Sequence, residues 1–454
     1  MTFVADAVTP LGPQLRECPG CGLLHKVPSM APGAVAHCTR CPTSLLRMTT
    51  HPFEYSIALT ISALVLLVVM CTTTLMSVQT SGISHSAGLF AGPAELVQRG
   101  MAALAVVVVF VTVVAPFGKL VSTLYVLLRL KERRPRDHLR RVFALAEQLR
   151  TWSMIEVFVF GVFVAYTKLG DLVTITLDAG VYALLALTIV IIWADSALDR
   201  EAIWERVRRD ERSGESGAPL RTGLDPIGCE LCGFVGVSAR EDQRCPRCES
   251  RLHSRKPVSI QRTWALVLAA AVLYVPANYF PVLTVEQLGA GSPSTILGGV
   301  QELIESGMYP LAALVFFASI AVPMGKLIGL AVMLIATQTG WSGWLRDRTR
   351  LYHIVRWIGR WSMIDIFMES LLGALVKFGN VVTIEPGIGA VAFCAVVILT
   401  ILAAETFDPR LMFHRESPRC GRRNPAATGS CGPRFGRAGR CPGSAPAPRD
   451  ADPR

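Results

Sequence analysis

The sequence predicts an all-α polytopic membrane protein: two parallel tandem repeats of four transmembrane helices, each preceded by a small cytoplasmic zinc-ribbon module. Three observations carry this reading. The 454 residues are 51% hydrophobic and only 17% charged, with a mean hydropathy of +0.43, whereas soluble domains carry about a quarter charged residues. The apolar residues are clustered, with no charge over the 22 residues of 55–76 and only Lys119 within 101–128. Each run matches the roughly 20 residues a helix needs to cross a hydrocarbon core. Finally, a shift of about 207 residues superimposes one half of the chain on the other.

The repeat is dense in matches. Pro116-Phe117-Gly118-Lys119-Leu120 falls on Pro323-Met324-Gly325-Lys326-Leu327, and Glu95 and Gly100 fall on Glu302 and Gly307. After two residues of slippage, Trp152-Ser153-Met154-Ile155-Glu156 matches Trp361-Ser362-Met363-Ile364-Asp365. Apolar segments are expected at 55–76, 101–128, 152–167 and 179–194, then at 263–285, 308–335, 361–376 and 386–404. The third and fourth of each half are short, and read either as two spans or as a re-entrant pair. The implied domains are a ribbon over 1–50, a membrane unit over 51–200, a linker and second ribbon over 201–258, a membrane unit over 259–413 and a basic tail over 414–454.

Orientation follows from the basic residues. The net charge of +11 is compatible with nucleic acid by itself, but the basic residues sit in connections, where they act as topology signals. Arg129 to Arg150 holds eight Lys and Arg, Arg346 to Arg360 five and Arg200 to Arg221 six, whereas 281–308 holds none. The basic stretches, both termini and both ribbons are assigned to the cytoplasm. No secretory signal precedes Cys18. An even number of crossings per half makes the repeats parallel, not inverted. The tail has nine Arg, seven Pro and six Gly in 41 residues, and is expected to be disordered.

Cys18-x2-Cys21 and Cys38-x2-Cys41 are sixteen residues apart, and Cys229-x2-Cys232 and Cys245-x2-Cys248 twelve. Two paired-cysteine knuckles at such spacings can supply four thiolates to one tetrahedral ion. A zinc ion in each module is expected, ahead of iron or dithiol redox chemistry, with a structural role. Cys71 and Cys394 lie in apolar segments and are read as core residues.

Lys119 and Lys326 lie deep in the second segment of each half, beside a Pro-x-Gly break. The third segments offer partners, Glu156 in one half and Asp365 with Glu369 in the other. A lysine–carboxylate network for lipid or protons is the functional reading, since intramembrane ionisable groups are costly; interfacial snorkelling is the structural one. Glu369 has Phe160 as its counterpart, and Pro276-Ala277-Asn278-Tyr279-Phe280-Pro281 has no match in the first half. Its two prolines predict an unwound helix end. The second half is therefore expected to be the working unit. At the outer ends, Lys168, Asp171, Thr174, Asn278, Lys377 and Thr383 are candidates for contact with lipid headgroups or a partner, or for interfacial anchoring.

Taken together, the two ribbon-plus-helix units, Pro-x-Gly-Lys, Trp-Ser-Met-Ile-(Asp/Glu), Pro-Ala-Asn-x-x-Pro and Glu405-Thr406-Phe407-Asp408-Pro409-Arg410 resemble the paraquat-inducible protein A family over about residues 15–413. The resemblance implies a non-enzymatic bacterial inner-membrane protein that works with a periplasmic MCE-domain tunnel protein and moves phospholipid. The first half departs from it in lacking Pro-Ala-Asn-x-x-Pro. No Gly-x4-Gly-Lys-(Ser/Thr) phosphate loop is present, so any energy comes from elsewhere, and proton coupling through Asp365 or Glu369 is one source. The residues alone leave open a stand-alone transporter of a small solute, a metal-thiolate redox protein and a membrane scaffold.

Overall fold

The computed structural model describes residues 9–416, except 11–14, 29, 42, 50–52, 81–82, 132–137, 171–173, 209–225, 238–242, 254, 257, 288–289, 341–344 and 376–381. The basic tail expected after 413 lies almost wholly outside the described residues. The first ribbon comprises β1 (Thr9–Pro10), the hairpin β2 (Leu15–Glu17) and β3 (Leu24–Lys26), and the hairpin β4 (Val35–His37) and β5 (Ser44–Arg47).

The first half begins with α1 (Phe53–Thr72), the strands β6 (Thr74–Thr80) and β7 (Ile83–Gly88), and the short α2 (Ala91–Gln98). It continues through α3 (Ala102–Val109), α4 (Ala115–Lys131), α5 (His138–Trp152), α6 (Ile155–Gly170), β8 (Thr174–Leu177), α7 (Ala179–Ala197) and α8 (Arg200–Arg208). The second ribbon has β9 (Pro226–Gly228) and β10 (Val235–Val237). The second half repeats the first as α9 (Ser259–Tyr279), β11 (Leu283–Gln287), β12 (Ala290–Ser294), α10 (Ile296–Glu305) and α11 (Tyr309–Phe316). It closes with α12 (Val322–Thr339), α13 (Leu345–Trp361), α14 (Ile364–Leu375), β13 (Val382–Pro386) and α15 (Ile388–Thr406).

Seven helices among the described residues are long and apolar enough to cross a membrane. The eighth expected span is α14, whose 12 residues rise only about 18 Å. The apolar segments expected at 55–76 and 263–285 are each cut short: α1 stops at Thr72 and α9 at Tyr279, and strands follow. These strands form three-stranded antiparallel sheets, in the order β7-β6-β8 in one half and β12-β11-β13 in the other, at the end opposite the ribbons. The basic connections are helices as well, since α5 and α13 carry Arg150 and Arg360 in their last turns.

The expected Pro-x-Gly breaks are π-helical turns at Phe110–Val114 and Phe317–Ala321 that join α3 to α4 and α11 to α12. A proline lacks an N–H and its ring clashes with the carbonyl four residues earlier. Widening the turn by one residue before Pro116 and Pro323 relieves both problems without interrupting the span. The other expected break also differs, because α9 runs through Pro276 to Tyr279, with Phe280 capping it just before Pro281.

Within each half the first and fourth long helices pack together, α1 on α7 and α9 on α15. The third helices cross the midline: α6 packs on α14, with the Phe158 and Phe367 rings edge to face at 5.4 Å. Gly161 permits the approach, since a Cβ there would lie 2.7 Å from Phe367 Cβ. Small residues let helix backbones come close where no water drives them together.

The ribbons cross over as well. Cys18, Cys21, Cys38 and Cys41 pack in one cluster with Leu330, Met333, Tyr352 and Phe407 of the second half. Cys229, Cys232, Cys245 and Cys248 pack with Val126, Phe143 and Trp204 of the first. Polar contacts follow the same exchange, Arg410 to Glu17 at 2.9 Å and Arg141 to Glu249 at 2.6 Å. The ribbons also touch each other, because β1 adds to the second ribbon's sheet beside β10 and Arg16 donates to the Gly233 carbonyl at 2.9 Å.

Candidate functional site

Both cysteine modules close into buried four-sulfur groups whose ligand atoms all lie within 4.8 Å of one another. Cys18 Sγ is 3.3 Å from Cys41 Sγ and Cys21 Sγ is 3.5 Å from Cys38 Sγ; in the second group the Cys229–Cys248 and Cys232–Cys245 separations are 3.5 and 3.6 Å. A tetrahedral ion with bonds of about 2.3 Å separates its sulfurs by about 3.8 Å. Each group can therefore hold a metal ion. The first knuckle of each is a tight turn in which Gly22 (φ +72°) and Gly233 (φ +68°) take left-handed backbone, a conformation that favours glycine. Hydroxyls sit against the sulfurs, Thr43 Oγ1 3.1 Å from Cys41 and Ser250 Oγ 2.9 Å from Cys248. An imidazole stands beside the first group, His25 Nε2 at 3.1 Å from Cys38. Contacts of this kind orient metal ligands. The Cys18 thiol is drawn down to about 4, chiefly by its hydrogen bond with Cys21, while burial pushes Cys41 up to about 11.

The intramembrane charges arrange themselves differently from the expected network. Lys119, nearly buried, donates to Asp195 Oδ2 at 2.7 Å, a residue of α7. Glu156 instead meets Arg360 of the other half at 3.3 Å. Lys326 is only 2% exposed, and among the described residues it reaches Thr400 Oγ1 at 3.2 Å and the Gly359 carbonyl at 3.5 Å. Asp365 and Glu369 lie on α14, but their side chains are outside the described residues.

Of the outer-end candidates, Asn278 donates to the Tyr274 carbonyl at 2.9 Å in its own helix. Thr174 pairs in register with Gln79, and Thr383 with Glu286, in the two sheets. The side chains of Lys168, Thr174 and Thr383 lie outside the described residues, as do Asp171 and Lys377 altogether.

At the ribbon end three cavities of about 400, 640 and 320 Å³ all have Arg150 in their walls. The smallest lies over the Lys119–Asp195 pair and is also bounded by Glu156 and Arg360.

A sequence model of the family described as Paraquat-inducible protein A matches residues 53–208 and again 260–416. The chain belongs to the paraquat-inducible protein A family. The two matched regions are the two membrane halves, without the ribbons. Intermembrane transport protein PqiA of Escherichia coli (strain K12) is 32% identical over 415 residues, covering 88% of this chain and 95% of its own. Lipophilic envelope-spanning tunnel protein A of the same strain is 32% identical over 398 residues, covering 88% and 91%. The Probable intermembrane transport protein of Haemophilus influenzae is 27% identical over 409 residues, covering 88% and 96%. No solved structure matches.

As a multi-pass membrane protein of this family, the chain has polar partners that sequence reasoning missed. Asp195 is one residue beyond the apolar segment expected at 179–194. Its signal is a lone acid in the last turn of a span, at the depth of a lysine on a neighbouring span. Arg360 and Thr400 carried no comparable signal, because an arginine in a basic stretch and a threonine in an apolar helix are both unremarkable there.

Proposed function

We propose that this protein is the inner-membrane subunit of an MCE-type lipid transport system. It loads or receives phospholipid at a periplasmic tunnel protein and helps maintain outer-membrane lipid homeostasis. The observation that carries this reading is likeness over 88% of the chain to proteins named for intermembrane transport and for an envelope-spanning tunnel. Arginine-rich α5 and α13 at the ribbon end support a cytoplasmic placement of that end, which leaves the two small sheets for a periplasmic partner. All-sulfur donor sets in a reducing compartment support zinc in both ribbons, as folding metal and not as a catalyst. Lys326, Asp365 and Glu369 serve as the candidate relay for protons, with Lys119 and Glu156 as their counterparts in the first half, and the outer-end residues as the candidate contacts with lipid or partner.

Gentle purification from the native membrane followed by mass spectrometry is the deciding experiment. A periplasmic MCE-domain protein is expected to co-purify, and its reproducible absence with the chain intact overturns the partnership. Lys326→Ala and Asp365→Ala are expected to abolish envelope complementation while inserting normally. Normal complementation by both removes the relay.

A further inference from the structure

We infer that the smallest cavity at the ribbon end of the first half is a receptor for the phosphate of a phospholipid headgroup, entered sideways from the surrounding leaflet. This rests on the lipid reading and on the orientation proposed above, which makes that leaflet the cytoplasmic one.

Four cationic side chains, Arg47, Lys119, Arg150 and Arg360, line the cavity against two carboxylates, Glu156 and Asp195. Asp195 is engaged by Lys119, and Glu156 by Arg360. Among the described residues, Arg150 has one acidic contact, at 3.5 Å to Glu147, a carboxylate that Arg200 also holds at 3.0 Å. A positive excess is left facing the space, which suits an anion. Arginine is the side chain suited to phosphate, because its planar donors match two phosphate oxygens at once.

The rest of the wall combines the hydroxyl residues Ser153, Thr188 and Ser196 with the apolar Ile155, Ile191 and Ile192. Ile192 is 50% exposed, and its neighbours Ile189 and Trp193 are exposed on α7 to a similar degree. The cavity therefore grades from a cationic floor to a rim on the apolar outer surface. A soluble anion has no use for such a rim, whereas an amphiphile needs both parts. About 320 Å³ accommodates a headgroup and leaves the acyl chains in the leaflet along Ile189 and Trp193. The second half does not repeat the site. The positions matching Arg150 and Asp195 are Gly359 and Ala404, so the preference for an anionic headgroup belongs to the first half alone.

The test titrates the purified full-length protein with phosphatidylglycerol, phosphatidylethanolamine and inorganic phosphate, and counts bound adducts by native mass spectrometry. Arg47→Gln with Arg150→Gln removes the excess charge without touching either ion pair. It is expected to weaken phosphatidylglycerol binding about 10- to 30-fold, from the attraction of roughly two basic groups for anionic lipid. Ile192→Trp blocks the rim without changing charge, and is expected to weaken both lipids while sparing inorganic phosphate. Unchanged phosphatidylglycerol binding in the arginine variant, with metal content and elution profile intact, overturns the site. Equal retention of inorganic phosphate, with Ile192→Trp silent, overturns the lipid and leaves a free-phosphate site. Both outcomes are independent of whether an MCE-domain partner co-purifies, so failure of the partnership and failure of this site are read separately.

Discussion

Lys119 and Lys326 occupy the same position of one duplicated unit, yet they end in opposite surroundings. The first finds a carboxylate at 2.7 Å; the second reaches a hydroxyl and a carbonyl among the described residues. The helices that face them, α7 and α15, have the same length and end alike, with backbone caps at Leu198 and Phe407. Asp195 therefore aligns with Ala404, and the acid of the second half stands one residue later, at Glu405. One residue is about 100° around a helix. That turn takes Glu405 away from Lys326 and onto Arg356, which it meets through both oxygens at 3.0 and 3.1 Å. The short helices that follow the first hairpin of each half diverge similarly. α2 crosses to the other half, where a Cβ on Gly92 would lie 2.6 Å from the Ser370 carbonyl oxygen. α10 stays on α11 through Val300 and Leu303, leaving Leu297 and Ile304 exposed. Duplication thus kept the frame, and small shifts in register gave one half a lysine paired with a carboxylate and the other a lysine that, among the described residues, meets a hydroxyl and a carbonyl.

The largest test of the comparison exploits the crossed ribbons. Metal binding in such modules supplies about 10–16 kcal/mol of folding free energy. Replacing Cys229 and Cys232 by Ser should halve the metal content and raise protease cutting in α4, α5 and α8 of the first half. Replacing Cys18 and Cys21 should loosen α12 and α13 instead. Cutting confined to the half that follows each ribbon in sequence would contradict the exchange. Next in size is Gly92→Val, which pushes α2 off α14 and should cost about 1–3 kcal/mol by overpacking, seen as a lower melting temperature. Valine at Gly299, where a Cβ meets nothing within 4 Å, should cost less, since only helix propensity opposes it.

The two lysines sharpen the contrast. Lys119→Met strands Asp195 and should cost about 1–3 kcal/mol. Lys326→Met removes an ammonium that meets a hydroxyl and a carbonyl among the described residues, and should cost less than Lys119→Met, even where transport is lost. A fall in melting temperature as large as that of Lys119→Met would mean that Lys326 has an equally strong partner. Glu156→Gln, which touches a partly exposed pair across the midline, should cost no more than about 1 kcal/mol. The smallest effect is one of pH. Burial, and then the Arg356 guanidinium, hold the His353 imidazole below its ordinary value, and it lies 3.3 Å from Thr43 of the first ribbon. A histidine favoured as neutral when folded supports the docked ribbon above about pH 6.5 and loses that support as the pH falls. Hydrogen exchange in the first ribbon should rise slightly on acidification, and His353→Gln should remove the dependence.

Much of this was legible in the residues. The repeat, the spans and the cysteine groups follow from spacing alone, because a membrane helix must be apolar for about 20 residues and a tetrahedral ion needs four close ligands. The strands beyond Thr72 and Tyr279 were hidden because Leu75-Met76 and Val282-Leu283 continue the apolar runs of the helices before them, and hydropathy does not distinguish the two. A break and a π turn look alike in sequence for a similar reason: a proline in a span announces a disturbed backbone without saying how it is accommodated. The partner of Lys119 is hidden in the sequence because Glu156 stands in a matched motif on the next span, whereas Asp195 lies on a helix 76 residues away.

By itself the sequence determined the duplication, the membrane environment, the metal-binding capacity of the eight cysteines and the presence of costly buried charges, all of which are local or periodic properties. The tertiary structure alone decided which ribbon rests on which half, that α6 meets α14 across the midline, and that Asp195 and not Glu156 answers Lys119. Those outcomes depend on where helix faces point once packed. A displacement of one residue turns a side chain by about 100°, and no composition or spacing records which neighbour it then meets.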